Sequence, residues 1–273
     1  LQKTIRIIET CGVDYYKMDL NRLAIEYGSP LFPQEQQKTL GVRYVQNLYK
    51  FYFALAERFP GMLIENCAGG GRRVDLGMAA FSGRINRSDN QDPLDILKIH
   101  EGFTYFMLSK FAGGGCHISK TFPRWMNERV TTTRFQAHVA MMGSMAIGEN
   151  LVACTEEELD EIAGYIRQHK RLRNITQSGE IYRLASAWEK PYAAFLYVLE
   201  DKSEAALFVY GQSMQFRIEC PEAIRLAGLD QEAVYQVEGY GPRSGLGLMH
   251  AGLQVSLKGD MDSKVISLSR VKD

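Results

Sequence analysis

The chain has no charge imbalance. Its 273 residues carry 32 Lys+Arg against 32 Asp+Glu, a formal net charge of +0. A partner held by a basic surface, whether nucleic acid or anionic membrane, is therefore not expected. Long apolar runs are lacking too: none approaches the roughly 20 residues needed to cross a bilayer. No CxxC pair occurs. The five cysteines, Cys11, Cys67, Cys116, Cys154 and Cys220, are odd in number and unpatterned. That composition reads as free thiols in a cytoplasmic protein, not as a disulfide scaffold. The histidines His100, His117, His138, His169 and His250 show no metal-ligand spacing, so neither a metal nor another cofactor is expected. A starting methionine is also absent. The chain opens on Leu1 with helical periodicity already under way and is read as a piece of a longer protein, any signal segment lying upstream.

What is present is concentrated between Met62 and Asp95. The apolar Met62-Leu63-Ile64 turns polar at Glu65-Asn66-Cys67 and passes into Gly69-Gly70-Gly71. A second short run ends in Ser88-Asp89-Asn90 and meets a helix start at Asp92-Pro93. Buried strand, polar strand end, permissive loop and helix form the repeating unit of a parallel (β/α)8 barrel. Upstream, Leu1–Cys11 is helical and Val13–Leu20 has strand composition, with Lys17, Asp19, Asn21 and Arg22 massed at its end. Helix is expected from Gln37 to Phe59, stopped by Pro60-Gly61. Downstream, helix is expected over 92–110, strand over 113–118, helix over 131–142 and a last strand over 145–151. A capping box, Thr155 to Glu158, opens a further helix to about Arg173. That gives about five β→α units. Near Gly179 the period changes. The β-rich runs 193–201 and 205–211 flank Asp201-Lys202-Ser203 as a hairpin, and no helical face follows. The expected class is α/β: residues 1–179 the later part of a TIM (β/α)8 barrel, residues 180–273 an antiparallel β-sandwich domain.

Asp19 and Asp89 stand at the ends of two expected strands, where such barrels keep their chemistry. Carboxylates there point into one pocket, as a glycosidase needs, with one as nucleophile or base and the other as acid. Lys17 lies two residues before Asp19 and on its side of the strand, so its charge favours the ionised carboxylate. Asn21 continues that side as a neutral donor. The spacing equally admits a structural Lys17–Asp19 ion pair and Asp89 as a helix cap. The glycine run lacks the Lys-Ser/Thr of a P-loop and reads as a tight loop that lets a ligand approach the backbone. Cys67 reads as a small buried residue lining a pocket in preference to a nucleophile.

These residues also carry a resemblance. Lys17-Met18-Asp19-Leu20-Asn21-Arg22 resembles the K-W-D-M-N-R nucleophile segment of glycoside hydrolase family 36, the bacterial α-galactosidases and their relatives. Glu65 to Gly71, followed by Arg73 and Asp75-Leu76-Gly77-Met78, is similar to that family's cysteine-glycine sugar-binding loop. Ser88-Asp89-Asn90-Gln91-Asp92 is similar to its S-D-N-T-D acid/base segment. The resemblance covers essentially the whole chain. It implies a retaining hydrolase of terminal α-linked galactose, with Asp19 as nucleophile and Asp89 as acid/base. Lys17 and Asn21 would bind sugar hydroxyls, and Cys67 and the Gly70 backbone would line the region of the C2 substituent. The implied partner is an α-galactoside or α-N-acetylgalactosaminide, with a homo-oligomer when full length. Met18 departs from the family's Trp, Asn86-Arg87 from its Trp-Thr, and Arg72-Arg73-Val74 from its glycine-loop pattern. Phe122 to Thr133 lacks its P-N-H-Q-T segment. Earlier barrel strands and an N-terminal β domain have no counterpart, so the piece alone is expected to be inactive. Two other readings stay open: an α-N-acetylgalactosaminidase, and a non-catalytic sugar-binding fragment.

Overall fold

The computed structural model describes residues 1–21, 26–119, 127–213 and 222–271. The chain divides into two compact units, Leu1–Asp89 and Asn90–Asp273. In the first, helix α1 (Gln2–Cys11) buries Ile8, and Gly12 at φ 60° ends it in the left-handed conformation open to glycine. Strand β1 (Tyr15–Met18), helix α2 (Leu40–Arg58), strand β2 (Leu63–Asn66), short helix α3 (Leu76–Ala79) and strand β3 (Arg84–Asn86) follow. β1 pairs with β2 and β2 with β3, in parallel, so each connection is a crossover. Helix α2 presents Leu48, Tyr52 and Leu55 on one face, where they pack with Ile8, Ile64 and Met78 as the core of the unit.

The expected start of α2 at Gln37 is three residues early. The Gln37 amide folds back, donating to the Ser29 and Phe32 carbonyls at 2.8 and 2.6 Å and accepting from the Ser29 N–H at 3.0 Å. Gln34–Thr39 is a 3-10 turn in consequence, and the α-helix begins at Leu40.

The second unit contains α4 (Pro93–Phe103), β4 (Ala112–Gly113), α5 (Thr133–Met141), α6 (Glu156–Ser178) and α7 (Gly245–His250). Its other strands are β5 (Glu180–Ala185), β6 (Tyr192–Val198), β7 (Glu204–Gly211), β8 (Val234–Val237), β9 (Gly241–Ser244) and β10 (Ser263–Arg270). They form one antiparallel sheet in the order β5-β6-β7-β10-β8-β9. The expected hairpin is β6–β7, with Lys202 at φ 56° and the Asp201 carboxylate accepting from the Ser203 N–H at 3.0 Å. Phe195, Tyr197, Phe208 and Tyr210 cluster with Ile96, Phe135, Leu172 and Ile175 of the helices. Ala194, Leu196, Leu207 and Val209 cluster with Leu226, Leu248, Leu253 and Val255. Covered on both faces, β6 has no solvent side to be polar, which is why its run is continuously apolar.

Several boundaries differ from the sequence reading. Helix α4 ends at Phe103, where the Thr104 hydroxyl donates to the Glu101 carbonyl at 3.0 Å, instead of running to Lys110. The strands expected over 113–118 and 145–151 reduce to β4 and one isolated parallel bridge, Ile118–Ile147. The Asn150 side chain turns the chain into a 3-10 turn at Leu151–Ala153. The described barrel segment therefore has strands β1 to β4 in place of five full units. Helix α6 continues to Ser178 because Leu172, Ile175 and Thr176 extend its buried stripe. The β region holds a helix after all, α7, capped by Ser244.

His100 and His138 are core residues: His100 Nε2 lies 2.7 Å from the Tyr197 hydroxyl and His138 Nδ1 lies 2.9 Å from Ser263 Oγ. Among the described residues no group of three or more His, Cys, Asp or Glu could hold a metal ion, and no helix is long and apolar enough to cross a membrane. Burial, with Arg134 nearby, pushes the His138 imidazole down to about 4. The unfolded chain takes up this proton near pH 6.5 and the folded chain does not, so stability falls as pH drops from about 6.5 towards 4. His138→Gln should remove up to about 3 kcal/mol of that pH dependence, read from urea unfolding across the window. An unchanged dependence would mean that the imidazole titrates in the folded state as it does in water.

Candidate active site

Parallel register places three charged side chains in one row. Lys17 of β1 stands beside Glu65 of β2, and Glu65 beside Arg84 of β3. Glu65 is 5% exposed. One oxygen takes the Lys17 ammonium at 3.1 Å, and the other takes the Arg84 guanidinium at 3.3 Å and the Tyr15 hydroxyl. Burial and the bond to Glu65 push the Tyr15 hydroxyl up to about 12. With two cations and a hydroxyl, the buried carboxylate is paired as such a group must be. Lys17 is thereby aimed at Glu65. The ion pair with Asp19 that the spacing admitted is not the arrangement found.

Asp19 follows β1 directly. Burial works against its charge, but hydrogen bonds from the Gly69 N–H (3.0 Å), the Cys67 thiol and the Leu20 N–H outweigh it, and the carboxyl titrates below its ordinary range. Lys17 works in the expected direction, as the last of these causes. The Asn21 amide, oriented with its nitrogen towards acceptors, donates to both Asp19 oxygens at 3.1 Å. Arg22 lies outside the described residues.

Cys67 ends the next strand, its N–H carrying the ladder on to the Met18 carbonyl at 3.0 Å. The side chain is 1% exposed, and burial pushes the thiol up. It stays protonated and serves Asp19 as a donor, which agrees with a pocket-lining residue and not with a nucleophile. Asn86, the last residue of β3, donates from Nδ2 to the Cys67 sulfur at 3.1 Å and to Asp89 Oδ1 at 3.0 Å. The two aspartates are therefore joined through Cys67 and Asn86 beyond the C-terminal ends of parallel strands. The helix cap suggested for Asp89 is supplied by Asp92, which accepts from the Asp95 N–H at 2.9 Å.

The glycine loop permits this closeness. Gly70 has φ +82°, and a Cβ there would stand 2.8 Å from the Asp89 nitrogen and 3.2 Å from Ser88 Cα. A Cβ on Gly71 would meet the Arg87 carbonyl. The Gly69 N–H points to Asp19, so the loop serves a carboxylate of its own chain and is no phosphate cradle. The loop is also tied down by the buried Asn66, whose Nδ2 donates to the Arg73 carbonyl at 2.8 Å. Lys17, Asp19, Asn21, Cys67, Gly70 and Asp89 thus fall in one neighbourhood. Sequence reading misses Glu65 and Asn86, although both carry the signal that marks Asp19 and Asp89, a polar residue closing an apolar strand run.

Residues 2–179 match the Melibiase family, and residues 192–268 match the glycosyl hydrolase family 36 C-terminal domain. Alpha-galactosidase AgaA of Geobacillus stearothermophilus is 33% identical over 247 residues, 90% of this chain and 33% of that protein. Probable alpha-galactosidase C of Aspergillus flavus is 32% identical over 271 residues, 99% of this chain and 34% of that protein. The crystal structure of the family 36 alpha-galactosidase AgaB from Geobacillus stearothermophilus has a TM-score of 0.92 at 31% identity, covering 99% of this chain and 37% of that one. A variant of AgaA in complex with raffinose gives a TM-score of 0.90 at 31% identity, covering 98% of this chain and 38% of that one. The chain spans about a third of the length of these curated relatives.

The contact at Gly70 makes an expectation about the loop. Gly70→Ala must both hold an L-residue at positive φ and push Ser88 and Asp89 away, and should lower stability by about 1–2 kcal/mol. Gly61→Ala, with nothing within 4 Å of the added Cβ, is the control and should change little. Equal denaturation midpoints for the two variants would show that the loop does not press on Asp89.

Proposed function

Because the chain belongs to the Melibiase family and carries the family 36 C-terminal domain, we propose that it is the part of a retaining α-galactosidase that holds both catalytic carboxylates. The fold shared with family 36 structures is a partial parallel barrel followed by a β domain. We take residues 1–179 as the barrel portion and 180–273 as the β domain, a division supported by where the two family matches end and begin. In the full-length protein Asp19 attacks the anomeric carbon of a terminal α-linked galactose, and Asp89 protonates the departing oxygen. Asp89 then takes a proton from water as that water releases the sugar from Asp19. Lys17 and Asn21 offer donors to the sugar hydroxyls, and Cys67 and the Gly70 backbone line the C2 side.

The observation that carries this reading is the hydrogen-bonded line Asp19–Cys67–Asn86–Asp89. It joins two carboxylates that the mechanism needs in one pocket, one of them held ionised as a nucleophile must be. On the same reading the protein works without a cofactor, in the cytoplasm, as a homo-oligomer. Cys11, Cys67, Cys116 and Cys154 are free thiols, which suits a reducing compartment. The names of the relatives favour galactose over N-acetylgalactosamine as the sugar.

The full-length protein should hydrolyse nitrophenyl α-galactoside well ahead of the N-acetylgalactosaminide; the reverse order would move the assignment to the second sugar. Asp89→Ala should lose about 10²–10⁴-fold on substrates with poor leaving groups. With an activated aryl group it should still form the glycosyl-enzyme and then stall. Added azide should restore its turnover with retained configuration, whereas azide rescue of Asp19→Ala should give the inverted product. The opposite stereochemical pair would mean that the nucleophile and the acid are exchanged.

A further inference from the structure

Asn86 is buried at 5% exposure and its amide is fully engaged. The amide nitrogen has two hydrogens to donate. One goes to the Cys67 sulfur at 3.1 Å and the other to Asp89 Oδ1 at 3.0 Å. The amide oxygen accepts from the Ser88 N–H at 3.3 Å, which fixes which end of the amide faces Asp89. A flipped amide would set its oxygen against the Asp89 carboxylate and its nitrogen against a backbone donor, losing the bonds to Asp89 and from Ser88.

We propose that Asn86 is a positioning residue that decides which oxygen of Asp89 carries the catalytic proton. This rests on the acid/base reading of Asp89. Oδ1 already accepts the Asn86 N–H, and a proton placed there would leave that donor only a hydroxyl oxygen, a poorer acceptor than the carbonyl oxygen it meets when the proton is on Oδ2. The proton therefore sits on Oδ2. In the first step the Oδ2–H bond breaks and its proton passes to the glycosidic oxygen as the C1–O bond breaks and the bond from Asp19 to C1 forms. In the second step Oδ2 takes a proton from water as the water oxygen bonds to C1 and the Asp19 bond breaks. The second N–H of Asn86 polarises the Cys67 S–H towards Asp19, so one side chain steadies both carboxylates. Tryptophan, which the resembling family segment has here, offers a single N–H and could not make both bonds.

The test uses the full-length protein and kcat/KM, which reports the first chemical step. Asn86→Leu keeps the volume and removes both donors. On an alkyl α-galactoside, whose leaving group needs protonation, its kcat/KM should fall about 10- to 100-fold. The effect should lie in kcat, with KM within about twofold. On dinitrophenyl α-galactoside, which needs little protonation, the change should stay below about threefold. Asn86→Gln, which retains the amide, should recover part of the alkyl-galactoside rate. If Asn86→Leu does not fold, Asn86→Ser is measured on the same two substrates, with the same expectation. Equal losses on both leaving groups, or no loss on either, overturn the assignment. If Asp89→Ala is selective for poor leaving groups and the Asn86 variants are not, only the role of Asn86 fails. If Asp89→Ala itself shows no such selectivity, the acid/base reading fails and takes this inference with it.

Discussion

Among the described residues, the hydrogen bonds that hold the two aspartates come from neutral donors. Asp19 accepts from a backbone N–H, a thiol and an amide, and Asp89 accepts from an amide. The cations on the neighbouring strands, Lys17 and Arg84, are drawn instead to Glu65. This separation has a physical reason. A carboxylate tied to a buried cation must break a strong pair before it can react, whereas hydrogen bonds from neutral groups favour the charge without committing it. Glu65 makes the separation possible, because without its charge Lys17 and Arg84 would lose the buried carboxylate they share.

The distance between the aspartates is a second constraint. They follow β1 and β3, and β2 runs between, so their backbones start roughly 10 Å apart, two strand spacings. Something on β2 has to fill that interval without pushing the two segments away. Cys67 is small enough to reach Asp19 and to accept from Asn86. Beyond it the chain runs so near the Asp89 backbone that a Cβ on Gly70 would stand 2.8 Å from the Asp89 nitrogen. A side chain at Gly70 or Gly71 would press on the Arg87–Asp89 backbone and so move Asp89 relative to Asp19.

In the second unit the polar groups that might have suggested chemistry are engaged in holding the core. His100 and His138 meet hydroxyls, and the buried Glu101 accepts from the Ser186 hydroxyl at 2.7 Å and the Ala187 N–H at 2.6 Å. Buried polar groups with partners inside the core need no catalytic explanation. The same packing explains why compactness and sequence pattern divide the chain differently. Helices α4, α5 and α6 bury their apolar faces on the sheet β6–β7 and so belong with it, although the sequence period changes only near Gly179. A change of period marks a change of element, and says nothing of what that element packs against.

The sequence by itself determined those elements that rest on local rules. Helical spacing gave α2 its Leu48-Tyr52-Leu55 face, Asp92-Pro93 opened α4, the capping box opened α6, and Asp201-Lys202-Ser203 closed the β6–β7 hairpin. It also marked Asp19, Cys67, Gly70 and Asp89, since polar residues that end apolar strands are visible in one dimension. The tertiary structure decided who partners whom. Lys17 lies two residues from Asp19 and 48 from Glu65, yet parallel register puts it beside Glu65. Asn86 reads as an ordinary strand end until the fold sets Cys67 on one side of its amide and Asp89 on the other. The strand expected over 145–151 reduced to a single bridge, because ladder length depends on the partner and not on the run. Hydrogen bonds and ion pairs reach only about 3 Å, and which groups come that close is fixed by strand order and register.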